Sequence, residues 1–263
     1  MINQAKNKLH LMNSLLLQQP IFNGLVMLLP FVDRNVNDIV DLVRENGMAT
    51  FPDAGAEWAT NEYGPCIRMT SNFGDTYTGC PSSKFYMDNF TFMFWGATTD
   101  TSSNKIYGLG FYSSASLSAF LGRRSNNPAL VIKTAADFSN VNGSAPGHND
   151  GAMHCFCGVS SPQYIKIYVD GEEADTDNAT EHEQGDANLI RVGGVTDVAW
   201  PGTMSLAAVW NRALSPAEVY ELYRMGPALT ILQDNFDINY CAAISAGAPA
   251  FKAAWAFNSN QVL

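Results

Sequence analysis

The chain has 263 residues, of which 46% are hydrophobic and only 15% charged, with a formal net charge of −10. That length allows one large all-β domain with extensions, or two small domains, and it is enough to bury a substantial core. The acidic balance argues against nucleic acid or an anionic membrane as partner, since neither rewards a negative surface, and no apolar run approaches the length of a membrane span. The five cysteines, Cys66, Cys80, Cys155, Cys157 and Cys241, are odd in number and irregular in spacing. They do not read as a disulfide framework, so synthesis in a reducing cytosol is expected. Lys6, Lys8 and the apolar run over 9–17 imitate a signal peptide. His10, Asn13 and Ser14 interrupt that run and no small-x-small cleavage site follows, so none is expected.

Residues 1–21 read as an N-terminal arm, in which Leu9, Met12, Leu15 and Leu16 have the spacing of a short amphipathic helix. Strands are expected over 24–31, 65–70, 85–87, 89–98, 105–112, 116–123, 130–132 and 152–159, with irregular connections over 33–47 and 137–150. Ile165, Ile167 and Val169 then alternate with Lys166, Tyr168 and Asp170, the period of a half-buried strand. Asp170-Gly171 follows, a dipeptide suited to a tight hairpin whose two central residues need φ > 0. Another strand is expected over 189–194. Met204, Leu206 and Ala208 alternate through a last one into Val209-Trp210. Ser215-Pro216-Ala217-Glu218 reads as a helix start, with Ser215 as N-cap, Pro216 at the first helical position and Glu218 closing a capping box. Val219, Leu222 and Tyr223 form the apolar face of that helix, and Gly226-Pro227 stops it. Phe92, Phe94, Ile165, Ile167, Val169, Leu206 and Trp210 are expected to include the inter-sheet core.

The motifs in this order resemble the laminin-G-like branch of the concanavalin A-like lectin/glucanase superfamily. The resemblance rests on Gly24 to Phe31 (GLVMLLPF), Phe90 to Trp95 (FTFMFW), Ile167 to Gly171 (IYVDG), Val192-Gly193-Gly194, and Gly202 through Tyr223 (GTMSLAAVWNRALSPAEVYELY). It implies an all-β jelly-roll sandwich of two antiparallel sheets over 22–226, with one short C-terminal helix and extended terminal arms. It is of the kind found in tailed-phage virion proteins. The segment 227–263 lies outside the pattern. It is poor in charge yet carries Phe236, Tyr240, Phe251, Trp255 and Phe257, which is the opposite of a disordered tail. These five aromatics are expected to be partner-binding anchors on an apolar C-terminal arm.

Three groupings bear on chemistry. His154, Cys155 and Cys157, with His148 nearby, have zinc-ligand residue types, but on a strand His154 faces away from both cysteines, so no metal site is expected there. Glu172, Glu173, Asp175, Asp177, Glu181, Glu183 and Asp186 form an acidic stretch read as a solvated hairpin loop. Calcium at the sandwich rim is what the resemblance implies for such oxygen ligands, but the stretch lacks a complete calcium loop, and no cofactor is expected. Glu181, Glu183 and Asp186 share the spacing of the E-x-D-x-x-E of retaining glucanases, with the residue types exchanged and no strand alternation around them. No other catalytic motif occurs, and a non-enzyme is expected.

Two functions remain. The first is a virion structural protein of a tailed bacteriophage, made in the host cytoplasm and displayed on the particle surface as a capsid decoration or similar protein. Its partners would be capsid or tail subunits and further copies of itself. The alternative is a carbohydrate-binding module for host glycans, with Tyr77, Tyr107, Tyr112 and Trp200 as exposed aromatics for stacking on sugar rings.

Overall fold

Period-two alternation and hairpin turns dominate the fold, a computed structural model that describes residues 20–29, 31, 38–40, 43, 48–50, 56–69, 76–79, 89–101, 106–113, 116–133, 138–143, 147–178, 189–193 and 200–229. The first strands are β1 (Leu25–Leu29), β2 (Asp38–Val40), β3 (Met48–Thr50), β4 (Ala56–Asn61), β5 (Gly64–Met69) and β6 (Thr76–Gly79). The central ones are β7 (Phe90–Thr98), β8 (Ile106–Ser113), β9 (Ser116–Arg124), β10 (Asn127–Lys133) and β11 (Phe138–Asn142). The last are β12 (His154–Ser160), β13 (Tyr164–Val169), β14 (Glu172–Asn178), β15 (Leu189–Val192) and β16 (Gly202–Trp210), followed by helix α1 (Pro216–Met225).

The strands form two antiparallel sheets of eight. One runs β14-β13-β12-β7-β16-β5-β4, with β1 also paired to β16; the other runs β11-β10-β9-β8-β15-β6-β3-β2. This is the jelly-roll sandwich expected. By chain contacts, residues Gly24–Thr230 form one compact unit; the other, Met1–Asn23 with Ile231–Leu263, lies outside the described residues apart from 20–23.

The inner faces meet in one core that includes Phe90, Phe92, Phe94, Leu109, Phe111, Leu121, Leu130, Phe156, Ile165, Ile167, Val169, Trp200 and Val209. Rings set its geometry: Phe94 stacks on Phe156 at 5.0 Å, and Trp200 meets both edge-on. Phe94 lies so close to β8 that a Cβ on Gly108 would stand 2.3 Å from its Cζ. Leu206 and Trp210 are buried but face away from this core. The cause is a bulge in β16: Met204 opposes Gly96 and Leu206 opposes Trp95, leaving Ser205 between them. The extra residue changes which face the later side chains take.

Helix α1 packs on the outer face of the first sheet, where Tyr223 stacks on Trp95 of β7. Thr91 Oγ1 donates to Arg212 O and accepts from Leu214 N, fixing the approach to the helix on β7. The expected capping box is present: Ser215 Oγ accepts from Glu218 N and Glu218 Oε2 accepts from Ser215 N. Arg212 clamps the Glu218 carboxylate through both terminal nitrogens, at 2.7 and 3.1 Å. Val219 and Leu222 are buried beneath the helix.

The structure corrects the sequence reading in the polar stretches. Residues 33–47 and 137–150, expected to be irregular, contain β2 and β11; residues 172–178, expected to be a solvated loop, form the edge strand β14. Glu172, Glu173 and Asp177 of β14 are exposed and Asp175 is half-exposed, as suits an edge that must not pair with another chain.

Candidate functional site

The Asp170-Gly171 turn organises one rim of the sandwich. Both residues are left-handed, at φ +52 and +81, as a two-residue hairpin demands. The turn is locked to the neighbouring strand: Asp170 N donates to Cys155 O, and Asp170 Oδ1 accepts from Cys155 N, each at 2.9 Å. Asp170 Oδ2 accepts from His154 Nδ1 at 2.7 Å, and His154 Nε2 lies 3.2 Å from Asp150 Oδ1. The loop before β12 brings a second imidazole, His148, to 4.8 Å from the His154 ring, edge to face. That loop is anchored by Gly151 N to Thr98 O and by Asn149 Nδ2 to Asp100 O, a carbonyl that also accepts from the buried Arg123.

These neighbours set the charges. The hydrogen bond to Asp170 raises the His154 pKa above the ordinary imidazole value, against its burial. Burial pushes the Asp170 carboxyl up, but the bonds from His154 and the Cys155 amide and the charges of the two histidines outweigh it and hold it below its usual range. Burial, and then the charge of His154, lowers the His148 pKa.

An aromatic row lies on the outer side of the same turn. Tyr223 of α1 stacks on Trp95 at 5.8 Å and 12°. Tyr63, in the turn between β4 and β5, lies 6.4 Å from Trp95, and Tyr220 lies 6.4 Å from Tyr223. Gly171 leaves room for both helix tyrosines, since a Cβ there would stand 2.9 Å from Tyr223 and 3.1 Å from Tyr220. Tyr220 is 48% exposed, the one large hydrophobic so exposed among the described residues. Burial and the nearby carboxylates Glu62 and Asp170 raise the Tyr63 pKa. Flat rings beside fixed carboxylates can take a ligand that has both an apolar face and hydroxyl donors.

The expected stacking residues do not form this site. Trp200 is fully buried in the core, with Nε1 donating to Ala97 O at 3.3 Å. Tyr107 is 7% exposed and packs on Phe120 at 3.8 Å. Neither is an exposed platform: Trp200, just before β16, is drawn into the core between the sheets, and Tyr107 on β8 is packed against Phe120. The side chains of Tyr77 and Tyr112 lie outside the described residues, as do Phe236, Tyr240, Phe251, Trp255, Phe257, Glu181, Glu183 and Asp186. Cys155 and Cys157 oppose Trp95 and Met93, away from His154, as the strand period requires. Both are buried free thiols. The sequence reading passed over Tyr63, Trp95 and Tyr220. A signal for Tyr220 was present, since its spacing of three from Tyr223 puts both on one helix face.

A laminin-G family model, described as the concanavalin A-like lectin/glucanases superfamily, matches residues 72–220. The chain belongs to that superfamily. Comparison with curated protein sequences gives no match. Among solved structures, the binding domain of Paraclostridial mosquitocidal protein 1 is similar, with a TM-score of 0.60 at 15% identity over 77% of this chain and 52% of that one. The botulinum neurotoxin serotype D ligand-binding domain, in complex with N-acetylneuraminic acid, is similar with a TM-score of 0.62 at 13% identity over 78% of this chain and 51% of that one. This chain thus spans about half the length of both. Domain 4 of the arabinanase AbnA from Geobacillus stearothermophilus, in complex with arabinotriose, is similar with a TM-score of 0.57 at 13% identity over 76% of this chain and 98% of that one. At these identities the likeness is one of fold.

Proposed function

We propose that the chain is a non-catalytic glycan-binding module, and that sugars contact the rim at Asp170 through Tyr220, Tyr223 and Tyr63. The observation that carries this reading is the aromatic row, with its one exposed ring, set beside fixed carboxylates. The face of a pyranose or furanose ring packs on the tyrosines, and its hydroxyls donate to Asp170 and to Glu172, the exposed first residue of β14, whose charge acts on Tyr223. Negative charge at the rim and over the whole chain disfavours anionic sugars, so the ligand class is a neutral oligosaccharide. The sugar-bound fold relatives support binding over hydrolysis. A glycan array followed by calorimetry tests the reading: wild type binds a neutral glycan, and Tyr220→Ala weakens that binding by about tenfold, the loss of one stacked ring. An array with no hit, or binding indifferent to Tyr220, overturns it.

A second reading concerns where the module acts. The charge-poor, aromatic segment 227–263 favours attachment to other protein subunits, on the surface of a tailed-phage particle, and this role is compatible with glycan binding. Mass spectrometry of purified particles tests it. High copy number relative to the major capsid protein fits a decoration protein, a handful of copies fits a tail or fibre, and absence refutes the reading.

A further inference from the structure

His148, His154 and Asp170 come from three pieces of chain, yet each offers a ligand atom, and those atoms lie within 4.8 Å of one another. Two of the three are already oriented. Asp170 is held by the Cys155 amide, and His154 is held by Asp170 on one nitrogen with Asp150 beside the other. A carboxylate on one nitrogen of an imidazole orients a metal-binding histidine that ligates through the other, and Asp150 beside Nε2 stands in that position for a His154 that ligates through Nδ1.

His148 is the third piece, packed edge-on against His154 and Phe156. Its imidazole is half-buried, and it makes no hydrogen bond among the described residues. Its backbone is left-handed, at φ +60, a region that histidine, like asparagine and aspartate, enters more often than most residues. The anchored loop thus sets this imidazole edge-on to Phe156 and within reach of a second imidazole and the Asp170 carboxylate.

We infer that His148, His154 and Asp170 form a binding site for a divalent transition-metal ion of the zinc type, with Asp150 holding the far ring nitrogen of His154. Mixed nitrogen and oxygen donors suit zinc, whereas calcium and magnesium take oxygen. Side-chain exposure rises from 14% at His154 through 31% at Asp170 to 64% at Asp150, so an ion enters from the Asp150 side. On binding, the ion takes the place of the proton between His154 Nδ1 and Asp170, and that proton is released to solvent. Bound metal joins the 147–153 loop to the hairpin turn and stabilises the folded chain by mass action. This inference does not rest on glycan binding, and its test contains no sugar.

The full chain, stripped with a chelator, is titrated with zinc chloride by calorimetry and by thermal unfolding. Wild type is expected to bind about one ion and to melt higher with zinc, while calcium and magnesium at equal concentration leave the melting point unchanged. His148→Asn is the informative variant, because asparagine tolerates the left-handed backbone and removes the imidazole. It is expected to melt with wild type in chelator and to bind zinc at least about tenfold more weakly. Cobalt(II) absorption on wild type alone provides a measurement that needs no variant: intensified visible bands of a low-coordinate nitrogen-ligated ion are expected. No zinc binding, equal stabilisation by calcium, an unshifted His148→Asn titration, or a cobalt spectrum like that of the aqueous ion overturns the site.

Discussion

β7 and β14 belong to the same sheet and meet opposite physical demands. From Phe90 to Thr98, β7 is buried at every position but one, while β14 is exposed or half-exposed throughout. β7 lies between β12 and β16, with the second sheet over its inner face and α1 over its outer face. It therefore reads as a nearly continuous apolar run, FTFMFW. β14 is an edge, and Glu172, Glu173, Asp175 and Asp177 line it. What separates the two strands is how many sides of each meet water, and charge is tolerated on β14, which has a partner strand on one edge only.

Several substitutions would break or sharpen this contrast. Phe94→Ala should have the largest effect, about 3 to 5 kcal/mol of lost stability by chemical denaturation, because the ring touches Phe156, Trp200 and the Gly108 backbone together. Gly108→Ala should lose about 1 to 3 kcal/mol by overpacking the same ring from the other sheet. A smaller loss separates the centre from the helix that covers it. The Arg212 clamp, with help from the Ser215 cap, depresses the Glu218 pKa from 4.5 to about 2. A carboxylate so depressed adds stability above pH 4.5 that is lost as pH falls from there towards about 2. Melting temperature against pH should therefore drop more steeply in that window for wild type than for Glu218→Gln, and parallel curves would remove the clamp from the account. The smallest effect on stability belongs to the edge: Asp175→Val with Asp177→Val should change unfolding by no more than about 0.5 kcal/mol. The same pair should promote self-association on size-exclusion chromatography, since it removes the charges that keep the edge unpaired.

Local signals determined a large share of this molecule. Alternation in 165–169, the Asp170-Gly171 turn and the Ser215 to Glu218 capping box are each decided within a few residues, because the backbone geometry they need is itself local. The apolar run of β7 was legible for the same reason. Tertiary structure decided the rest. β14 is a strand because β13 offers it a row of backbone partners, and no property of EEADTDN implies that. The bulge at Ser205 sends Leu206 and Trp210 to the outer face, which alternation read without the partner strand cannot foresee. Trp200 is core and Tyr220 is surface although both are large aromatics, since burial depends on what packs above each ring. The rim draws His148, His154 and Asp170 together across a loop, a strand and a turn. Sequence supplies those three side chains, but only the pairing of β12 with β13 and the anchoring of the loop on Thr98 and Asp100 bring their polar atoms within reach of one another.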